Sequence, residues 1–131
     1  MGSRKRLRAE KLKEENKVTA IAKLNDCPTS PRKMRLVADI IRGKDVFESL
    51  AILQYTQKDA ARRLEKLLRS AIANWEAKNE GDRPEDKDLF IKTITVDEGT
   101  MLKRIQPAPK GRAFRIRKRS NHVTIILDSK K

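Results

Sequence analysis

The chain has 131 residues, with 32 Lys and Arg against 18 Asp and Glu, a formal charge of +14, one Cys and one His. Its length suits one domain, and its charge calls for a polyanionic partner. One thiol makes neither an internal disulfide nor a zinc site, and no apolar run nears the roughly 18 residues of a membrane span.

Residues 1–17 predict a basic arm, with Leu7 and Leu12 almost its sole large apolar groups. No helical face there buries much area, so the arm is expected to order on RNA, the alternative being a solvated tail. It has no apolar signal-peptide core, and Glu10, Glu14 and Glu15 do not suit a transit peptide. The lone Cys27 fits a reducing compartment, so bacterial-type cytoplasm is the expected location.

Residues 18–131 form the expected globular domain. Alternation from Val18 to Leu24 predicts a strand. Ser30 reads as an N-cap with Pro31 at the first helical position, and Met34, Val37, Ala38 and Ile41 recur at helical spacing before Gly43. Val46, Leu50 and Leu53 mark a short second helix. Thr56 to Asp59 resembles a capping box opening a long third helix, whose stripe is Ala61, Leu64, Leu68, Ala71, Ile72 and Trp75. Trp75 is expected in the core. Lys66 and Arg69 are expected to be solvated or paired along that helix.

After a polar loop, Leu89 to Val96 alternates, with Phe90, Ile94 and Val96 assigned to one side and Thr93 and Thr95 to the other. Val123 to Leu127 predicts another strand. Between them, Met101 to Ser120 holds eight cations and no acid, with Pro107, Pro109 and Gly111 at its middle. A reversal near Pro109 predicts a long antiparallel hairpin over about residues 97–121, with Val96 opposite His122 and Leu102 opposite Ile116. From Val96 to Pro107 such a ribbon spans about 35 Å, against a radius of gyration of about 14 Å for a compact domain of this length. The hairpin must project, and adjacent Lys103 and Arg104 put charge on both of its faces.

Three segments carry a family resemblance. They are Ser30-Pro-Arg-Lys-Met-Arg-Leu-Val-Ala-Asp-Ile-Ile-Arg-Gly43, Leu64-Glu-Lys-Leu-Leu-Arg-Ser-Ala-Ile-Ala-Asn74, and the run from Val96 through Leu102-Lys-Arg-Ile105 and Lys110-Gly-Arg-Ala113 to Arg115-Ile-Arg-Lys-Arg-Ser-Asn-His-Val-Thr-Ile-Ile126. In order and spacing they resemble the twenty-second-protein family of the bacterial large ribosomal subunit over nearly all of residues 18–128.

The resemblance implies an α+β fold, three helices packed on a three-stranded antiparallel sheet with one long protruding hairpin. It implies a structural constituent of the large subunit that binds large-subunit ribosomal RNA, supports subunit assembly and touches neighbouring ribosomal proteins. The hairpin would line the polypeptide exit tunnel and meet the nascent polypeptide. Hairpin changes in the family can alter macrolide sensitivity and nascent-chain stalling. The implied RNA contacts are Ser30, Arg32, Lys33, Arg35, Lys103, Arg104, Lys110, Arg112, Arg115, Arg117, Lys118, Arg119, Ser120 and His122. The implied tunnel-lining tip is Gln106, Pro107, Ala108, Pro109, Lys110 and Gly111. The family often has Arg at the positions of Gln106 and Ala108, so this tip carries less charge.

No catalytic, cofactor or metal site is expected. His122 is the one His, and the sequence implies no carboxylate or thiol beside it. Asp82, Glu85, Asp86 and Asp88 lack the spacing of a calcium loop. The alternative function is a free-standing nucleic-acid-binding regulator that reads base edges with Gln106, Ser120 or Asn121; an enzyme is a distant third.

Overall fold

The computed structural model describes residues 3–130 in the order α1 (Ser3–Val18), β1 (Ala20–Cys27), α2 (Pro31–Ile41), α3 (Val46–Tyr55), α4 (Asp59–Lys78), β2 (Leu89–Pro107), a 3₁₀ turn (Pro109–Gly111) and β3 (Ala113–Ser129). Residues 1, 2 and 131 of the expected arm and domain lie outside the described residues. Three helices and an antiparallel sheet of order β1-β3-β2 form the body, as the sequence implies. The helix beyond the expected three is α1, which occupies the arm and buries no residue. Its cations cluster early, Arg4, Lys5, Arg6 and Arg8, where the helix dipole disfavours positive charge. Neither packing nor the dipole accounts for its stability.

Cross-strand pairing explains the core. The sets Ala20–Leu127–Ile91, Ala22–Ile125–Ile94 and Leu24–Val123–Val96 each lie on one face of the sheet. All are buried except Leu24, which is partly so. Against this face pack Met34, Val37, Ala38 and Ile41 of α2, Val46 and Leu53 of α3, and the α4 stripe with Leu67 added. Trp75 is 6% exposed and belongs to the core. Each large apolar side chain so buried is worth roughly 1.5–3 kcal/mol in transfer terms.

Several local expectations need correction. The first strand runs later than Val18–Leu24, because α1 continues through Val18. Phe90 does not share a face with Ile94: a bulge between Ile91 and Thr93 shifts the alternation, so Leu89 and Ile91 join Ile94 and Val96 in the core. Thr56 does not open α4. Its hydroxyl donates to Ile52 O at 2.6 Å and closes α3, while Lys58 occupies the N-cap without a side-chain bond. Ser30 is the N-cap residue of α2, but its side chain makes no capping bond. Asp45, in contrast, accepts from Phe47 N and Glu48 N at 3.0 and 3.3 Å and caps α3.

Candidate nucleic-acid interface

The hairpin grows from the sheet without interruption of β3. Core pairing ends at Val96–Val123, and Glu98 pairs with Asn121 just beyond it. Two residues, Gly99 and Thr100, then oppose Ser120 before pairing resumes at Met101–Arg119. The Ser120 hydroxyl donates to Thr100 O at 2.5 Å and fastens this bulge. Gly99 is required there: a Cβ would sit 2.5 Å from Ser120 Oγ and 3.1 Å from His122 Nε2.

The bulge corrects the expected register. Val96 faces Val123, not His122, and Leu102 faces Lys118, not Ile116. The turn accordingly centres on Lys110, whose φ of 62° is left-handed, followed by Gly111 at 69°. Ala108 N donates to Arg112 O at 2.8 Å and closes the loop. The two central residues with positive φ complete the reversal, Gly111 at no steric cost.

Register decides what each face of the ribbon presents. Met101–Arg119, Lys103–Arg117 and Ile105–Arg115 share one face; Leu102–Lys118, Arg104–Ile116 and Gln106–Phe114 share the other. Charge therefore occupies both faces, with Lys103 directly opposite Arg117, a destabilising like-charge pair. Leu102, Ile105 and Phe114 are 58, 72 and 62% exposed. Among the described residues, none of the eight hairpin cations forms an ion pair. The nearest acids in sequence, Asp97 and Glu98, stay at the base.

The second group of predicted residues is held at that base. Asn121 is fully buried, and its Nδ2 donates to Thr29 O and Thr29 Oγ1 at 2.6 and 2.8 Å. This tie joins the segment that leads into α2, and with it Ser30, Arg32 and Lys33, to the base of the ribbon. Arg32 and Lys33 are exposed and unpaired among the described residues, beside a helix N-terminus that favours anions.

Arg35 is different. Its Nε and Nη2 donate to Val96 O at 3.3 and 3.1 Å, and Arg42 Nη1, two turns on, donates to Ile94 O at 2.7 Å. The guanidinium groups of Arg35 in α2 and of Arg42 at its C-cap thus cap carbonyls of the edge strand β2, which among the described residues has no strand neighbour on that side. Arg35 serves the fold there. Ser120 serves the bulge, and His122 Nδ1 accepts from Asp26 N at 3.0 Å.

His122 also corrects an expectation, since the Asp26 carboxylate lies 4.0 Å from Nε2. Sequence reasoning missed it because Asp26 is far away in the chain; it adopts a left-handed φ of 52° where β1 departs from regular pairing with β3. Sequence reading also missed Asn121 and Arg42 as organising residues. Among the described residues, no group of three or more His, Cys, Asp or Glu could hold a metal, and no helix is long and apolar enough to cross a membrane.

Comparison with known proteins fits this arrangement. The family profile described as ribosomal protein L22p/L17e matches residues 22–128. A Christiangramia forsetii protein named large ribosomal subunit protein uL22 is 64% identical over 127 residues, covering 97% of this chain and 94% of that one. Its namesake from Flavobacterium psychrophilum is 64% identical over 129 residues, 98% and 94% of the two chains, and that of Bacteroides fragilis strain YCH46 is 60% identical over 130 residues, 99% and 95%. A three-helix, three-stranded body that extends two strands into a cationic ribbon, matched across both parts at this identity, belongs to the ribosomal protein L22p/L17e family.

Proposed function

We propose that the chain is built into the large ribosomal subunit by threading its hairpin through large-subunit ribosomal RNA, with the tip from Gln106 to Gly111 in the wall of the polypeptide exit tunnel, beside the nascent chain. As a member of a ribosomal protein family it is a structural constituent of the translation machinery, not an enzyme, and it works in the cytoplasm among ribosomal RNA and other ribosomal proteins. The observation carrying the finer reading is the ribbon itself. It buries nothing against the body, opposes like charges and, among the described residues, leaves its cations without carboxylates. Dense phosphate supplies the missing counter-charge, and release of condensed counterions drives association.

The contacts are mainly to phosphate, from Arg32 and Lys33 at the base and from Lys103, Arg104, Arg115, Arg117, Lys118 and Arg119 along the stem, so they register RNA shape more than sequence. Lys110 and Arg112 flank the tip. Arg35, Ser120 and His122 contribute by holding the base in shape. The cation-rich start of α1 adds an arm whose helix RNA stabilises. Through these contacts the protein supports subunit assembly.

Sedimentation of lysate through a high-salt sucrose gradient tests the reading. Near-stoichiometric recovery with large subunits is expected. Recovery at the top of the gradient would favour the free-standing regulator instead. Crosslinking from position 108 to a stalled nascent peptide tests the tunnel placement, and crosslinks to solvent-side proteins alone would overturn it.

A further inference from the structure

A second concentration of positive charge lies away from the hairpin and from the start of α2. The outward side of α4 and the edge of β1 enclose an open groove of about 560 Å³ lined by Lys23, Asp59, Arg62, Arg63, Lys66 and Ser70, with the apolar Leu24 and Leu67 among them. β1 is the other edge strand of the sheet. Asn74 Nδ2 donates to Ile21 O at 3.0 Å, so Ile21 turns its backbone polar groups away from β3. At the strand period of two, Lys23 turns its N–H the same way, toward the groove. Arg62 and Lys66 stand one helical turn apart, about 6 Å along the axis.

The acids near this groove are already engaged. Asp59 accepts from Arg63 Nε at 3.2 Å, a bond that raises the already high pKa of that guanidinium. Glu65 is held by Arg69 at 2.8 Å. Lys23, Arg62 and Lys66 have no carboxylate partner among the described residues. The groove thus combines three uncompensated cations, a hydroxyl and an edge N–H with two leucines. The carboxylates of an acidic protein segment accept from the same donors, but RNA is the polyanion that the reading above already sets against this chain. A sugar–phosphate chain offers acceptors at each of these points and an apolar sugar face for the leucines.

We propose that this groove is a second RNA-backbone site, in which Lys23, Arg62 and Lys66 each neutralise a phosphate while the hairpin engages RNA elsewhere. The inference rests on the RNA-binding reading above and extends it to the opposite edge of the sheet. The body is then clamped at both edges, β2 through its hairpin and β1 through this groove.

The test uses the full chain and protein-free bacterial large-subunit ribosomal RNA, measuring affinity from 50 to 200 mM salt. The groove variant is Lys23→Gln/Arg62→Gln/Lys66→Gln. A stem variant, Lys103→Gln/Arg115→Gln/Arg117→Gln, and a charge control, Lys87→Gln/Lys92→Gln/Lys130→Gln, accompany it. Three phosphate contacts carry a log–log salt slope of about 2.1–2.7. The groove variant should therefore show a salt-induced loss of affinity about 20- to 40-fold smaller than the parent over this range, with the control near the parent. A groove variant equal to the parent while the stem variant falls would overturn the groove and leave the hairpin reading intact. An equal effect from the charge control would also overturn it, by showing that net charge alone matters. If the parent itself binds without salt dependence, the RNA reading fails and the groove with it. Circular dichroism melting of each variant checks that these exposed substitutions leave the fold in place.

Discussion

Arg35 separates a folding role from a binding role, and Arg35→Gln puts the separation to measurement. Both donors of Arg35 converge on one acceptor, Val96 O, at 3.3 and 3.1 Å, so they count as one charge-assisted interaction and not two. Such bonds contribute about 1.5–3 kcal/mol when sheltered. Here the arginine is exposed, and the carbonyl left behind can recruit water, which brings the expected cost to about 1 kcal/mol. For a domain of this size that lowers Tm by about 4 °C. Urea unfolding should show a lower midpoint at unchanged m-value, since the surface exposed on unfolding is the same. The slope of RNA affinity against salt should not change, because the Arg35 guanidinium is held by Val96 O and neutralises no phosphate. Arg32→Gln gives the converse, an unchanged Tm with a slope reduced by about 0.7–0.9. A variant at Arg35 that melts like the parent but loses salt-sensitive RNA affinity would refute the reasoning: the side chain would then sit on RNA and not on Val96.

The bulge offers a coupled pair. Gly99→Ala pushes a Cβ to 2.5 Å from Ser120 Oγ and should cost about 1–2 kcal/mol by denaturation. In a Ser120→Ala background the cost should shrink to what the contacts at 3.1 Å with His122 Nε2 and 3.3 Å with the Ser120 backbone carbon impose; additive effects within about 0.5 kcal/mol would show that Ser120 is not the obstacle. Asn121→Ala removes both bonds to Thr29 from a fully buried site and should destabilise by about 2–3 kcal/mol, with a cost under about 1 kcal/mol counting against the tie between α2 and the hairpin. Trp75→Ala should cost about 3–5 kcal/mol by the same assay, and a small effect would place the indole outside the core. In the free protein, NMR relaxation should find the stem from Met101 to Arg119 more mobile than the body and slowed on RNA addition; uniform order without RNA would contradict the view that phosphate supplies its missing stability.

What the sequence disclosed and what it withheld divide along a physical line. Periodicity found α2, α3 and α4 with their core residues, because a helix buries a stripe fixed by local spacing. It found the hairpin because two apolar strands flank a run of cations around Pro107, Pro109 and Gly111. It misplaced every feature that depends on one extra residue. The bulge at Lys92 moved Phe90 off the core face, and the bulge at Gly99–Thr100 shifted the stem register, since a period of two makes each slip a change of face. A bulge leaves no reliable mark in composition; a glycine within a strand was the one available sign, and Gly99 was there to be read. Residue roles were hidden for a related reason. Arg32, Lys33 and Arg35 look alike in the chain, and α2 geometry alone turns Arg35, with Arg42 seven residues later, toward the carbonyls of β2. Charge can be counted from sequence, but whether a cation is spent on the protein's own backbone or left for a partner depends on contacts sixty residues away. Among the described residues, cations left unspent include those on the stem, at the start of α2, in the groove beside β1 and at the start of α1, and these are the cations proposed above to meet RNA.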